Sequence, residues 1–319
     1  MTAVIILIFV IGYLAITLEH PLKLDKTVPA LLMAALMWAL LAVGFQQGWF
    51  NVVDGHENVF DFLGGGDQHH AEEGFTNMLL HHLGKTAEIL VFLIGAMTIV
   101  EIVDLHRGFD VLKSWVKTKS KKKLLWILAI LAFILSAIID NLTATIVLIT
   151  LLRKLIPERT DRLWFAGMIV IAANAGGAWS PIGDVTTTML WIGKKVSALH
   201  LVERLVIPSI ICMVVPVFIA TLLPAFKGNV ETDTNDYNEE EKSLLSSKTM
   251  LFLGLGMIVS VPIFKTVTHL PPYLGMMLAL GVVWLVSEYI HPEEDFTNER
   301  KHLYSAHKAL SRIEMSSIL

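Results

Sequence analysis

Charge is scarce in this chain. Asp, Glu, Lys and Arg make up 17% of its 319 residues, against about a quarter in an average soluble domain. With 54% hydrophobic residues and a mean hydropathy of +0.62, the composition is that of a polytopic membrane protein. Cysteine is scarcer still. The single Cys212 excludes an intrachain disulfide, and its place in an apolar segment says nothing about redox compartment. No basic groove interleaved with aromatics and no reader motif is present, so nucleic acid is not an expected partner. The net charge of -4 carries no message of its own. The opening run MTAVIILIFVIGYLAITL lacks a positive n-region and a small-residue cleavage site, and so reads as a first span, not a signal peptide.

What is present is a series of long apolar runs. A helix needs about 20 apolar residues to cross a bilayer, and the candidates are 2–18, 28–45, 86–103, 202–223, 250–264 and 272–290. Two further runs have the wrong length, and each holds one charged residue: Asp140 within 124–152 and Asp184 within 163–193. A carboxylate at the bilayer centre costs about 2.5–3.5 kcal/mol on insertion scales, so such residues usually line a bundle interior or an ion path.

Lysine and arginine bias sets the orientation. Arg107, Lys113, Lys117, Lys119, Lys121, Lys122 and Lys123 follow the third span and mark that loop as cytoplasmic. The N-terminus and the acidic, His-rich loop 46–85 are then outside. Bases flank the run 124–152 at both ends (Lys123; Arg153 and Lys154), so both ends lie on one side. At 1.5 Å per residue each arm reaches only mid-membrane. The run is therefore expected as a re-entrant hairpin with Asp140 and Asn141 at its tip. The run 163–193 is expected to cross outward as a discontinuous helix, broken over Ala173 to Asp184 by Gly176, Gly177, Gly183 and Pro181.

A weak internal match places Val28–Leu40 on Pro272–Trp284 and, loosely, Lys85–Leu90 on Arg312–Ser317, each of the latter pair holding one glutamate, Glu88 and Glu314. The opening helices of the two units run in opposite senses, which is the inverted-repeat architecture of many secondary transporters. The expected fold class is thus an all-α polytopic membrane protein. It comprises a first transmembrane repeat (1–225), an acidic cytoplasmic linker (226–248) and the start of a second, inverted repeat (249–319), left incomplete as in a fragment.

Ion chemistry is expected at the tip and the break. The tip supplies oxygens from Asp140, Asn141, Thr143 and Thr145, and the break those of Asn174, Ser180, Asp184, Thr186 and Thr187 together with freed carbonyls. Hard cations such as Na⁺ take oxygen ligands, with Asp140 and Asp184 as the charged pair. Each aspartate could instead serve only as a helix cap, but Ser or Asn would cap without burying a charge. A carboxylate pair that holds either protons or a sodium ion, combined with alternating access, is sufficient for cation/proton antiport. Glu101, one turn inside the end of its span, is a candidate for an ion vestibule. His56, His69, His70, His81 and His82, with Asp67, Glu72 and Glu73, match no zinc spacing and read as a solvated loop. The basic stretch 107–123 is amphipathic enough to lie on the membrane and bind anionic lipid.

The segments Asp140–Thr145 (DNLTAT), Ala173–Thr187 (ANAGGAWSPIGDVTT) and Glu88–Glu101 (EILVFLIGAMTIVE) resemble the NhaD-type Na⁺/H⁺ antiporters of the ion transporter superfamily. The resemblance implies export of Na⁺, and of Li⁺, driven by proton entry across a bacterial plasma membrane. It implies Asp140, Asn141, Asn174, Asp184, Thr186 and Thr187 as transport residues, a homodimer, and neither cofactor nor enzymatic activity. Two rivals stand beside it. An arsenite-type oxyanion or dicarboxylate transporter of the same superfamily would favour neutral groups at the tip. A membrane enzyme or a non-transporting membrane protein would need a nucleophile or metal set at mid-depth, where only Asp, Asn, Ser and Thr occur.

Overall fold

The computed structural model describes residues 2–53, 59–62, 68–116, 118–230 and 245–290. His56, Asp67, Lys117, most of the acidic linker (231–244) and the segment 312–319 of the internal match lie outside the described residues. The described residues are about 81% helical, and among them five helices are long and apolar enough to cross a membrane. The exposed surface agrees with that count. The helix Ala198–Leu222 presents Ile207, Ile210, Ile211, Val215, Phe218, Ile219 and Leu222 outward, a patch far larger than a soluble monomer leaves to water. The chain is an all-α polytopic membrane protein.

Its residues fall into two compact units. The first runs through Ala87 and holds α1 (Thr2–Thr17), α2 (Glu19–Leu22), α3 (Thr27–Gln46), β1 (Val52–Val53), β2 (Val59–Phe60) and the opening half of α4 (Gln68–Leu105). α1 packs along α3, where Gly12 leaves the room that the Met33 side chain fills. β1 and β2 pair antiparallel, Val52 with Phe60 and Val53 with Val59. Beneath them Phe45 is buried, stacked on Phe75 at 5.2 Å and edge-on to Phe62 at 5.6 Å. The expected solvated loop is therefore partly folded, and α4 starts at Gln68 instead of Thr86. Hydropathy misses this extension because its histidines and glutamates dilute the apolar residues, although Phe75 and Met78, one turn apart, pack into the small aromatic core. At 38 residues, α4 is about 57 Å long, nearly twice the hydrocarbon thickness.

The second unit begins at Glu88. After α4 comes a 3-10 helix, Gly108–Trp115, followed by α5 (Lys121–Ser136), α6 (Asn141–Leu155), α7 (Arg159–Ala178), α8 (Val185–Ile192), α9 (Ala198–Leu222), a short 3-10 turn (Pro224–Phe226), α10 (Leu245–Thr268) and α11 (Pro272–Tyr289). The 3-10 helix does not lie on a membrane surface by its apolar face. Phe109, Val111 and Leu112, together with Val116, are buried in the protein core, and Gly108 abuts Val103 and Leu251. Phe226 is fully buried against Phe165, and Val230 donates to the carbonyl of Lys119 at 2.8 Å. The chain leaving α9 is thus fastened to the entry of α5.

α5 and α6 pack on each other across a four-residue turn. With 16 and 15 residues they measure about 24 and 22 Å, short of a 30 Å hydrocarbon core. Two ties fix the ends of the bundle. Lys121 in the first turn of α5 pairs with Asp161 in the first turn of α7, both largely buried, and Glu158 caps α7 by accepting the Asp161 N–H at 2.5 Å. Elsewhere the fully buried His106 ring lies 2.8 Å from the Ser287 hydroxyl and 3.3 Å from that of Ser246, while its carbonyl accepts from Ser247 at 2.7 Å. The last turns of α4 and α11 and the first turn of α10 therefore meet at one end of the unit.

Candidate functional site

The break in the 163–193 run falls later than expected. α7 continues through Gly176 and Gly177 to Ala178, and the chain leaves the helix only over Trp179–Asp184 before α8 resumes. The two glycines do not break the helix; they let another segment approach. A Cβ on Gly176 would collide with the backbone of Phe133, and one on Gly177 with the backbone of Gly183. Ala172, Ala173, Ala175, Gly176 and Gly177 form one buried small-residue face, on which α5 lies close. Ser136 secures it, donating its hydroxyl to the Ala173 carbonyl at 2.6 Å.

That packing brings the tip of the α5–α6 pair to the break. Asp140 caps α6: Thr143 donates its backbone N–H (2.8 Å) and its hydroxyl (2.6 Å) to the two carboxylate oxygens. Asp184 caps α8 by accepting the Thr186 N–H at 2.7 Å. Asn141 follows Asp140 as the first residue of α6. Its amide nitrogen donates to Asn174 Oδ1 on α7 at 2.9 Å and to Asp184 Oδ2 at 3.0 Å. The Asn174 amide in turn is turned back to the Val170 carbonyl at 2.8 Å, so its oxygen is left facing the cluster. Among the described residues neither Asp140 nor Asp184 is paired with a base. Asp140, Asn141, Thr143 and Asp184 are half-buried, and Asn174 and Thr186 exposed.

The carbonyls freed by the break have partners of their own. Thr187 donates to the Ser180 carbonyl at 2.8 Å and lies 2.9 Å from that of Asp184; Thr188 donates to the Pro181 carbonyl at 3.0 Å. Thr187 is thus turned into the break, whereas the Thr186 side chain is left outside. Thr188 was not singled out by sequence, although the run of three threonines after Asp184 carried the signal. Glu101 sits half-buried on α4, and the bonds joining Asn141, Asn174 and Asp184 do not involve it. Among the described residues no group of three or more His, Cys, Asp or Glu could hold a metal; His69 faces Glu73 one turn along the same helix.

The first turn of α6 is therefore tied through Asn141 to the Asp184 cap of α8 and to Asn174 of α7, a layout that offers oxygens to a small hard cation. The sequence is similar to those of known proteins. Residues 5–294 match the CitMHS family, described as citrate transporter. "Sodium/proton antiporter 1" of Arabidopsis thaliana is 41% identical over 98% of the chain and 49% of its own length. "Sodium/proton antiporter 2" of the same plant is 38% identical over 98% of the chain and 68% of its own length. "Na(+)/H(+) antiporter NhaD" of Vibrio cholerae is 35% identical over 86% and 53%. The chain spans about half to two thirds of the length of these relatives. No solved structure matches it. With nearly its whole length matched, the chain belongs to the CitMHS family of membrane transporters, alongside the NhaD-type Na⁺/H⁺ antiporters.

Proposed function

We propose that the protein is a secondary active transporter exchanging Na⁺, and Li⁺, for protons at the cluster of Asp140, Asn141, Thr143, Asn174, Asp184, Thr186 and Thr187. One observation carries the reading: Asp140 and Asp184 cap α6 and α8, the Asn141 amide in the first turn of α6 reaches across to the Asp184 carboxylate, and neither acid has a basic partner among the described residues. An uncompensated carboxylate pair within an apolar bundle calls for a cation. The names of the relatives supply the exchanged pair, sodium and proton.

Each oxygen that already accepts one hydrogen bond keeps a second lone pair. Asp140, Asp184 and Asn174 together can therefore offer a shell of oxygens to Na⁺ while Thr143, Thr186 and Asn141 hold them in place. A proton on either carboxylate removes the charge that Na⁺ needs, so the two cargoes exclude one another. Exposing the site alternately to each side then exchanges them. Asp140 and Asp184 serve as both ligands and proton acceptors; no further cofactor is required.

The wider layout belongs to the same reading. α5 and α6 form a re-entrant hairpin, α7 and α8 a discontinuous helix, and 1–225 the first of two inverted repeats. The linker and the second repeat follow it. The lysine and arginine bias puts the N-terminus outside, and the bacterial relatives favour a bacterial plasma membrane. A homodimer is expected. Glu101 is assigned to the approach path.

The name of the matched family favours one second reading, transport of citrate or another carboxylate anion. Two unpaired carboxylates would repel such a substrate. The test uses energised vesicles carrying the full-length protein and a pH-sensitive dye. Added Na⁺ should collapse ΔpH, citrate should not, and Asp184→Asn or Asp140→Asn should abolish the Na⁺ response. Wild-type response in both variants would refute the carboxylate mechanism; a response to citrate alone would favour the anion reading.

A further inference from the structure

α8 is only eight residues long, about 12 Å from end to end, so its placement depends on what holds its two ends. Asp184 and the two threonine clips hold the first end. The second end is gripped from elsewhere in the fold. Trp191 in its last turn is buried, with the edge of its ring against Phe92 of α4 at 6.3 Å. Over the ring lies the ammonium of Lys265 from α10, 4.3 Å from the centroid and 3.4 Å from the Trp191 carbonyl. That carbonyl is one of the last of α8 and also accepts the Lys194 N–H at 3.2 Å; the negative end of the helix dipole favours a cation there. A lysine half-buried on a membrane helix is costly to keep, yet here it serves neither a described carboxylate nor the ion cluster directly. It spans two elements 74 positions apart in sequence.

We infer that Lys265 is a positioning residue for the ion site: by clamping the Trp191 end of α8, it fixes the Asp184 carboxylate against the Asn141 amide. The inference rests on the reading of Asp184 as an ion ligand. A rigid two-turn helix clamped at one end cannot tilt, and displacements of about 1 Å at a binding group change function strongly. Removing the ammonium frees the far end, and the 3.0 Å contact between Asn141 and Asp184 is what loosens.

The test compares Na⁺-dependent ΔpH collapse in proteoliposomes carrying the full-length wild type, Lys265→Met, Lys265→Arg and Trp191→Leu. Lys265→Met should raise half-saturating Na⁺ roughly fivefold, the scale of one helix-terminal charge, with the maximal rate and thermal midpoint near wild type. Lys265→Arg should stay within about twofold of wild type, since a guanidinium also stacks on indole. Trp191→Leu keeps the lysine charge but removes its seat, and should weaken Na⁺ as Lys265→Met does. That variant separates positioning from a through-space effect of the charge, which would leave Trp191→Leu unchanged and tighten Na⁺ in Lys265→Met. Unchanged or tighter Na⁺ half-saturation in Lys265→Met overturns the inference while leaving antiport intact. Where Lys265→Met is not recovered folded, the Arg and Leu variants decide by the same criteria. A wild type that ignores Na⁺ overturns the antiport reading itself, and this inference with it.

Discussion

Gly167 and Gly176 sit on the same helix, α7, and the same substitution should have opposite effects at the two positions. A Cβ added at Gly167 meets nothing within 4 Å. Alanine there only removes the conformational freedom of glycine from the unfolded chain, a gain of about 0.5–1 kcal/mol. At Gly176 the new Cβ would strike the carbonyl, its carbon and the Cα of Phe133. Backbone lies on both sides of this contact, so no side-chain rotation relieves it, and overpacking of this kind costs about 1–3 kcal/mol. At about 2–4 °C per kcal/mol for a domain of this size, the thermal midpoints of Gly167→Ala and Gly176→Ala should separate by roughly 5–10 °C, one above wild type and one below. Recovery of detergent-purified protein from size-exclusion after graded heating measures both. Gly176→Ala should also weaken the Na⁺ response, since pushing α5 off α7 moves Asn141 from Asn174 and Asp184. A Gly176→Ala midpoint at or above wild type would refute the close-approach role of the glycine.

Asn141→Leu removes two hydrogen bonds, one of them to a carboxylate, each worth about 1–3 kcal/mol. It should raise half-saturating Na⁺ at least tenfold in the vesicle assay; an unchanged value would remove Asn141 from the site. His106→Ala leaves the Ser246 and Ser287 hydroxyls without their buried partner and should cost about 2–4 kcal/mol, read as a lower thermal midpoint, with His106→Asn losing less. Glu158 carries a pH dependence. Hydrogen bonds from the Asp161 and Thr160 N–H groups hold its carboxyl below the usual carboxylate value, so the cap contributes stability at neutral pH. That contribution is lost as pH falls through the depressed folded value. Glu158→Gln should flatten this part of the acid limb of the thermal midpoint against pH, and an identical limb in both proteins would show that the cap does not contribute.

The candidate site was legible because membranes punish charge. Asp140 and Asp184 stand out as the one acid in each of two apolar runs, and the excess bases at both ends of 124–152 give that run the length of a paired hairpin. What sequence could not give is the bonding. Asn141 and Asn174 were candidates, but that one amide spends both its hydrogens on two separate elements depends on packing between α5 and α7. The glycines misled for the same reason. Gly176 and Gly177 look like helix breakers in a string, yet between two apolar helices their missing side chains are worth more as clearance, and the helix ends two residues further on. His106 left no local signal at all, since its partners lie 140 and 181 positions away. The early start of α4 escaped because the histidines and glutamates of 69–82 dilute its hydropathy signal.

The self-closing of the break between α7 and α8 bears on how such a protein can be made. A backbone carbonyl stranded in hydrocarbon costs several kcal/mol, so an interrupted helix that relied on distant segments for its hydrogen bonds would stall on its way into the bilayer. Here the carbonyls of Ser180 and Pro181 are taken by hydroxyls from Thr187 and Thr188, and the opening N–H of α8 by Asp184. All the parts come from nine consecutive residues, 180–188. These hydrogen bonds therefore form within the segment itself and do not depend on the helices packed around it.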